Sequence, residues 1–584
     1  MLKRLVLASV LTLCSAALVA CGSGDNSQTA ANAPATTTTT RPTAPANNIE
    51  LKDTSLAAAV AADGLTMPTS IAFAGRRLLV TEKSTGKVLL VDGPGKTREV
   101  IDLAVNSFDE RGLLGIAVHP DFPRKPFVYL QWTWRGDGTG PAKVLGSDSD
   151  QAADVPSLGN RVDRFRWANN KLTFDRNLIR LPSNTLNTDT SGRIRGNHDA
   201  GPLAFGPDGK LYFMLGDQNM RGQLQNITSG PAPDNAHLTG VVLRLDDDGS
   251  VPSDNPFVAA GKKMGGGAGA NVQKIYTYGV RNSFGLAFEP KSGALWQTEN
   301  GDDASDEVNV FTRGSNSGWI QLQGAPAQFD TWKGLELASK DGFDNPTYPP
   351  TMLAADATAA RKAMASIAGS HYAPPVLTYK YPPALTAINF VRDGRLGARS
   401  ADTAWIGTVL TDSLLRYPLA KNGRKLALTG ALADGVDDNA AKGDLGESAP
   451  YVVGTGFGIV TDIEPGPDGA LYVSSLDAGK VYRLTKASGA DSGTATTAPP
   501  SSALVPAATV HIKDDVFDPT KVEIKAGEAV VWRWEGKDPH NVDGPGFKSR
   551  IQTSGSYTKA FDQPGTFEYR CDVHPTMLAS VVVT

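Results

Sequence analysis

The residues with the clearest chemical meaning are a cysteine, two histidines and a methionine near the end of the chain. Cys571, His574 and Met577 follow a Cys-x2-His-x2-Met spacing, and His540 lies upstream. A thiolate and two imidazoles with a distant thioether form the ligand set of copper sites that carry single electrons. These four residues are therefore predicted to hold one copper ion. Zinc is the rival metal, although structural zinc sites rarely use a thioether.

The N-terminus has the features of an export signal. Lys3 and Arg4 precede an apolar run from Leu5 to Ala20, which Cys21 closes. The segment is similar to bacterial lipoprotein signals. That similarity implies cleavage before Cys21, lipidation of its sulfur, and an exported chain tethered to the outer face of a bacterial membrane, in the periplasm or at the cell surface. A plain signal peptide that ends nearby is the alternative.

The cysteine count supports a metal at Cys571. The chain has three cysteines. Cys14 would leave with the signal and Cys21 would be lipidated, so no disulfide could form within the mature chain. A lone thiol in an oxidising compartment is a liability unless something occupies it. We therefore expect a metal ion on Cys571.

Alternating apolar residues predict the strands that position these ligands. Phe567, Tyr569 and Cys571 alternate with polar neighbours, as the side chains of half-buried strands do. Cys571 is thus predicted to end a strand, with His540 supplied by a neighbouring one.

Composition favours short strands and tight turns over the rest of the chain. Among its 584 residues are 61 glycines and 38 prolines, and the net charge is only −4. Abundant turn residues and few long helix-forming runs indicate a β-rich protein. No basic stripe alternates with aromatic residues, so nucleic-acid binding is excluded as a function class.

One pattern recurs six times in the central part: an apolar pair, a Gly/Pro/Asp turn and an alternating strand. Its occurrences begin at Thr69, Leu114, Pro202, Gly285, Ala387 and Asp462. Each predicts a hairpin, and the spacing leaves room for two more strands. Because such units bury their faces only against neighbours, we expect a six-bladed β-propeller. An open stack of sandwiches is the structural alternative.

Low-complexity stretches divide the chain into segments. The predicted segments are a signal (1–20), a disordered tether (21–53), the propeller (54–485), a flexible linker (486–506) and a small C-terminal domain (507–584). A linker of about twenty residues spans roughly 25 Å and gives an effective concentration on the order of millimolar.

The C-terminal segment resembles the cupredoxins. The shared features are FDP, the Ala-Gly-Glu turn before VVWRW, PGTFEYRC, and CDVHPTM, whose short spacing is most similar to amicyanin. The resemblance implies a plastocyanin-like Greek-key β-sandwich with one type I copper, which makes the whole chain all-β. His511, on the opening strand, is not expected to be a ligand.

The central segment resembles the PQQ-dependent glucose/sorbosone (aldose sugar) dehydrogenases over about 60–485. The motifs that carry the resemblance are ERGLLGIAVHPDF, GNHDAGPLAFGPDGKLYFMLGDQ, RLDDDGSVPSDNPF, IYTYGVRNSFGLAF and ENGDDASDEVN. The family is a six-bladed propeller that binds pyrroloquinoline quinone (PQQ) and calcium at its mouth. Its members pass a hydride from sugar C1 to the quinone while a histidine takes the hydroxyl proton.

This resemblance assigns roles to individual residues. It implies His198 as the general base, which Asp199 or Asp217 could orient. Arg281 and Asn282 fall on the pair beside the quinone, where a guanidinium stabilises negative charge.

The resemblance also implies a calcium site at Gly301 and Asp302, whose oxygens suit a hard cation. Acidic loops of this kind are often only solvated turns, which is the alternative for these residues.

Several positions depart from the family pattern. Glu110 replaces a glutamine that lies against the cofactor, and this contact would be repulsive toward a tricarboxylate unless a proton or calcium intervened. The family's lysine falls near Asp412 and Ser413, and its two arginines fall near Ile459 and Thr461. None of these positions is basic here. Cationic partners that could compensate are Arg111 and Arg416.

Two classes of function follow. The first is oxidation of a sugar at C1, with electrons passing singly to copper and then to an external acceptor such as a cytochrome or another respiratory component. The second is a non-catalytic propeller that binds a glycan or a protein at the cell surface, beside an electron-transfer copper domain. Oxidation of a non-sugar alcohol with another cofactor is a third possibility.

Overall fold

The computed structural model describes most of the chain and divides it into two compact units, one up to Ser488 and one from Gly489. The described residues are 49–135, 157–184, 196–199, 201–219, 223–227, 236–338, 354–487, 507–514, 516–536, 540–544, 547–549, 555–561, 563–571 and 577–584. The signal, Cys21 and nearly all of the linker lie outside them, as do most residues of the tether.

Six sheets form the first unit, and four of them are wholly antiparallel. The chain begins with two strands that join the last two sheets, β1 (Glu50–Leu51) and β2 (Leu56–Ala62). The first blade contains β3 (Pro68–Ala74), β4 (Arg77–Glu82), β5 (Lys87–Gly93) and β6 (Lys96–Asp102). The second contains β7 (Leu113–Val118), β8 (Phe127–Arg135), β9 (Ser157–Ala168) and β10 (Lys171–Leu181). The third contains β11 (Leu203–Phe205), β12 (Leu211–Leu215), β13 (Val241–Leu245) and β14 (Ile275–Tyr278).

The later blades exchange short strands. The fourth contains β15 (Gly285–Phe288), β16 (Leu295–Glu299) and β17 (Asp306–Phe311), whereas β18 (Ser315–Asn316) and β19 (His371–Tyr372) extend the third. β20 (Leu377–Tyr379) completes the fourth, and β21 (Leu385–Val391), β22 (Thr403–Thr408) and β23 (Leu414–Pro418) begin the fifth. β24 (Val436–Asp437) joins the fourth and β25 (Val452–Thr455) the fifth; β26 (Val460–Pro465), β27 (Leu471–Ser475) and β28 (Lys480–Lys486) form the sixth.

The first two strands close the ring. β2 pairs with β28 as the outer strand of the sixth blade, and β1 pairs with β25. The two-strand hairpins predicted from the six sequence repeats are the inner hairpins of the six blades, which confirms the propeller. The residues of β1 belong to the stretch predicted as a tether, so the propeller begins earlier than the predicted start at residue 54. The missed pairing joins distant residues, which no local pattern records.

Apolar layers fill the spaces between successive blades. Separate buried clusters lie between each neighbouring pair, including the sixth and the first. Polar links join the inner strands as well. The Asp462 carboxylate accepts hydrogen bonds from Ser70 Oγ and Ile71 N, both at 2.7 Å, across the closing interface. Each blade is therefore held by its neighbours on both sides.

Helices occur in the connections and insertions. They are α1 (Val258–Met264), α2 (Gly266–Val272), α3 (Phe329–Ala338) and α4 (Ala357–Ala363). Short 3-10 turns span Gln223–Gln225, Pro326–Gln328, Gly394–Leu396, Ala398–Ser400, Gly430–Asp434 and Gly446–Tyr451. Over the described part of the chain, every helix is too short or too polar to cross a bilayer.

The second unit is a sandwich of two sheets. Its strands are β29 (Ala508–Lys513), β30 (Val516–Asp518), β31 (Lys521–Ile524), β32 (Glu528–Trp534), β33 (Asp543–Gly544), β34 (Phe547–Lys548), β35 (Gly555–Phe561), β36 (Gly565–Arg570) and β37 (Leu578–Val583). One sheet has the order β30-β29-β32-β35 and the other β31-β37-β36-β33-β34. Trp532 lies in the core between them, in ring contact with Phe547 and Tyr569.

Candidate active site and metal centre

A cavity opens among the inner strands of the propeller. Every blade contributes to its wall, through residues such as Thr69, Leu114, Gly201, Asn300, Thr386 and Thr461. Its acidic lining residues are Asp109, Glu110, Asp302, Asp306 and Asp462, and its basic lining residues are Lys83 and Lys442. Charged groups thus stand on a wall that is otherwise mostly apolar.

His198 lies beside this cavity and is held by a carboxylate. Its Nδ1 is 2.5 Å from Asp217 Oδ1, and Trp319 Nε1 donates to Asp217 Oδ2 at 2.7 Å. Of the two acids that the sequence offered, the structure places Asp217 on the imidazole. A carboxylate on Nδ1 favours the tautomer that carries its proton there and leaves Nε2 as the base. His198 has φ of 61°, a conformation unusual for a residue with a side chain.

Glu110 joins the histidine to the cavity wall. Its Oε2 accepts a hydrogen bond from the His198 backbone N–H at 2.6 Å and lies 3.5 Å from Asn282 Nδ2. Its Oε1 is buried and has no hydrogen-bond partner among the described residues. Burial raises the pKa of the Glu110 carboxyl above its usual range, against the opposing effects of His198 and Arg281.

Arg281 contacts the turn predicted to bind calcium. Its guanidinium donates to Asn300 O at 3.1 Å, to Gly301 O at 2.9 Å and to Asp302 Oδ1 at 2.8 Å. The Asp217 backbone N–H donates to Arg281 O at 2.7 Å, which links this turn to the histidine pair. The oxygen atoms of the turn therefore already attract a cation.

Helix α3 supports the same turn from outside. Glu336 Oε1 accepts hydrogen bonds from Asp303 N at 3.0 Å and Ala304 N at 2.9 Å. Burial, together with the charges of Asp302 and Asp303, raises the pKa of Glu336 to about 8. No sequence pattern predicted this contact, because the insertion that contains α3 has no recognisable motif.

Two other predicted cations lie elsewhere. Arg111 is buried, and its side chain donates to Ser183 O at 3.0 Å and to Asn184 Oδ1 at 3.1 Å; it is not part of the cavity lining. Arg416 forms an ion pair with Asp53 at 2.7 Å. Neither side chain is placed on the wall as the compensating charge that the sequence suggested.

Lys83 and Lys442 supply the positive charge that sequence reasoning missed. Lys83 Nζ donates to Ser107 O at 3.1 Å and to Asp109 O at 2.7 Å. Lys442 forms an ion pair with Asp303. Ile459 and Thr461, near which the resemblance implies two arginines, also line the cavity. Lys83 stands in the first repeat, but only the folded ring brings it to the wall.

The residues present fit calcium and an acidic quinone. Gly301 O and Asp302 are hard oxygen donors of the kind that a calcium ion requires. The Arg281 guanidinium now occupies both, and a calcium ion would have to replace it there. Lys83 and Lys442 line the cavity and are cations that a carboxylated ligand can approach, although each also contacts oxygen atoms of the protein. Arg281 is not among the lining residues. The buried Oε1 of Glu110 suits such a ligand only when that carboxyl carries a proton.

The C-terminal unit brings two of the predicted copper ligands together. Cys571 Sγ lies 3.7 Å from His540 Nδ1, and both residues are completely buried. With metal–sulfur and metal–nitrogen bonds of about 2.3 and 2.0 Å at roughly 120°, two ligands of one ion lie about 3.7 Å apart. The observed separation therefore fits a shared metal ion.

The surrounding strands fix these ligands. Trp534 Nε1 donates to His540 O at 2.8 Å, and the Cys571 backbone N–H donates to Met577 O at 3.1 Å, closing the ligand loop. Met577 is buried in the same core cluster as Cys571.

The other two histidines of this unit are not seen at the site in the part of the chain that the structure describes. His574 lies outside the described residues, and among those described no three His, Cys, Asp or Glu side chains gather around one point. His511 is half-buried and pairs with Glu535 at 2.6 Å.

A closed six-bladed ring around a cavity with charged groups on its wall, followed by a cupredoxin-like sandwich, defines a class of two-unit β proteins. The family described as Glucose / Sorbosone dehydrogenase matches residues 65–373, slightly more than half of the chain. The chain belongs to this family, and its relatives include proteins named as a quinoprotein glucose dehydrogenase and an aldose sugar dehydrogenase.

Individual relatives agree with this assignment. Quinoprotein glucose dehydrogenase B of Acinetobacter calcoaceticus is 33% identical over 264 residues, which cover 42% of this chain and about half (48%) of that relative's length. Amicyanin-alpha of Methylorubrum extorquens is 38% identical over 82 residues, which cover 13% of this chain and 69% of amicyanin. A solved glucose dehydrogenase superposes with a TM-score of 0.50 at 24% identity, covering 73% of this chain and 98% of that one, and it supports the fold.

Proposed function

We propose that the protein oxidises an aldose at C1 in the propeller cavity and passes the electrons one at a time through copper in its C-terminal unit. The observation that carries this proposal is the His198–Asp217 pair, at 2.5 Å, beside the wall residue Glu110. Relatives named for glucose dehydrogenase and amicyanin activity support the two halves of the proposal separately.

In the propeller, the chain's own groups bind the sugar and move its proton. His198 Nε2 takes the proton of the C1 hydroxyl, and Asp217 stabilises the imidazolium that forms. Lys83, Lys442, Arg281 and Asn282 would hold PQQ, and Gly301 and Asp302 would hold calcium. When bound, the quinone supplies the acceptor for the hydride that leaves C1.

In the C-terminal unit, His540, Cys571, His574 and Met577 would hold the copper. Bound there, copper supplies a one-electron redox couple. Cys571 is buried directly after β36, and Trp534 donates a hydrogen bond to the His540 carbonyl. These contacts hold two ligands in place, so little rearrangement accompanies a change of charge. A two-electron oxidation needs such a carrier when the final acceptor takes electrons singly.

The proposal includes an exported protein anchored through lipid on Cys21, which would place the acceptor, a cytochrome or similar carrier, at the same membrane. The export motif and its cysteine support this part.

The experiment is a dye-reduction assay on the purified chain with added PQQ and Ca²⁺, in which a panel of aldoses is screened. We expect sugar-dependent dye reduction that falls by about 10²- to 10⁴-fold in His198→Ala, because the general base is removed. His371→Ala is the matched control, since His371 is exposed on β19 and contacts Thr312. Reduction that is equal in wild type and His198→Ala would contradict the assignment of the base.

A non-catalytic propeller that binds a glycan or a protein is the second candidate. Ile459 and Thr461 favour it, because they place an apolar and a neutral side chain on the wall where the resemblance implies arginines nearby. Failure of every aldose to reduce the dye, together with no measurable PQQ binding, would support this candidate.

A further inference from the structure

We infer that Glu110 is a proton-dependent gate for the cavity: its neutral carboxyl donates a hydrogen bond to an acidic ligand, whereas its carboxylate repels that ligand. The inference rests on the proposed function, since the ligand in question is a carboxylated quinone. It concerns a position at which the resemblance described above implies a glutamine.

The two carboxyl oxygens of Glu110 have different surroundings. Oε2 already accepts the His198 backbone N–H at 2.6 Å, with Asn282 Nδ2 at 3.5 Å. Oε1 is buried without a partner among the described residues, on a side chain that lines the cavity. A buried carboxylate oxygen with no donor is costly, and a proton on it removes the cost. That proton would then be available to a ligand oxygen.

The neighbouring charges do not neutralise this carboxyl completely. The charged groups that face it are Asp109 beside it, His198 and Asp199 before the third blade, and Arg281 before the fourth. Lys83, a lysine that lines the cavity, donates to two backbone carbonyls, including that of Asp109. Arg281 donates to Asn300 O, Gly301 O and Asp302. Both cations are therefore engaged by other oxygens.

The residue consequently distinguishes between two states of the cavity. With the proton, Glu110 resembles glutamine in shape and presents a donor. Without it, the wall presents another negative charge next to a tricarboxylate, which opposes binding. Burial raises the pKa of Glu110 above its ordinary value, so the change between the two states occurs at a higher pH than for an exposed glutamate.

The test measures binding of PQQ to the purified full chain at a fixed Ca²⁺ concentration. Quenching of tryptophan fluorescence reports the bound fraction at several pH values between about 5 and 9. In wild type we expect the Kd to rise about tenfold per pH unit above the Glu110 pKa, because binding takes up a proton there. Glu110→Gln should lose this slope. Glu99→Gln, the same change at an exposed residue paired with Lys87, should keep it.

A second readout is proton uptake on PQQ binding in weakly buffered solution. Above the Glu110 pKa, wild type should take up close to one proton per bound quinone, and Glu110→Gln should take up clearly less. Equal slopes and equal proton uptake in wild type and Glu110→Gln, with PQQ bound by both, would overturn this inference alone. Absence of PQQ binding by both proteins at every pH would overturn the proposed function and the inference together.

Discussion

At the scale of single residues, the sequence could name the histidine but not its partner. His198 and two acids, Asp199 and Asp217, were visible in the motifs, and only the folded ring shows which acid contacts the imidazole. The reason is physical: β11 and β12 turn the chain between these residues, so the more distant acid reaches Nδ1. The role of Asp199 is accordingly different.

Asp199 is a buried acid whose charge should affect stability. Its Oδ1 accepts hydrogen bonds from Asn160 Nδ2 at 2.6 Å and Gln218 Nε2 at 2.8 Å, and burial raises its pKa to about 7. The folded protein keeps this proton up to about pH 7, whereas the unfolded chain releases it near pH 4. The stabilisation is therefore complete below about pH 4 and is lost as the pH rises toward 7.

Asp199→Asn should flatten the pH dependence of propeller unfolding in this window. The asparagine keeps an acceptor for both donors and cannot ionise. We expect wild type to lose up to about 1.4 kcal/mol of unfolding free energy per pH unit between about pH 4 and 7, and the variant to lose much less. Urea unfolding at several pH values measures this, with the exposed Asp330→Asn as control. Parallel pH profiles for wild type and Asp199→Asn would show that Asp199 is not the titrating group.

At the scale of elements, local patterns predicted the parts that are local. The six inner hairpins depend on turn residues and alternation within short segments, so the sequence contains them completely. The pairing of β1 with β25, the exchange of β18, β19 and β24 between blades, and the contact of α3 with the cavity turn all join distant segments. Their formation depends on closure of the ring, which short-range patterns do not encode.

Helix α3 offers a test of one such contact. Glu336→Ala leaves the backbone N–H groups of Asp303 and Ala304 without their acceptor, which should destabilise the propeller by about 1–3 kcal/mol. Because the same turn carries Gly301 and Asp302, calcium affinity should fall as well. Urea unfolding and calcium titration are the measurements.

Glu336→Gln is the matched control for this change. It keeps an acceptor oxygen and resembles the neutral acid, which predominates at pH 7 when the pKa is about 8. We expect it to behave like wild type at that pH. Wild-type stability and calcium affinity in Glu336→Ala would instead show that α3 does not support the turn.

At the scale of the whole molecule, two units with different chemistry share one chain. The ligand spacing near the C-terminus predicted a copper centre, and the structure brings two of its ligands, His540 and Cys571, to 3.7 Å. The propeller site was harder to predict, since its charges come from Lys83 and Lys442 in different blades. A linker of about twenty residues would make electron transfer within one chain independent of diffusion between molecules.

The most direct test of the account is stopped-flow absorption of the copper- and PQQ-loaded full chain, mixed with an active aldose without oxygen. The account predicts that the blue thiolate-to-copper band bleaches at a rate independent of protein concentration. Cys571→Ser should lack the band yet still reduce an artificial dye. A blue band that persists in wild type while sugar is being oxidised would contradict electron flow from the propeller to copper.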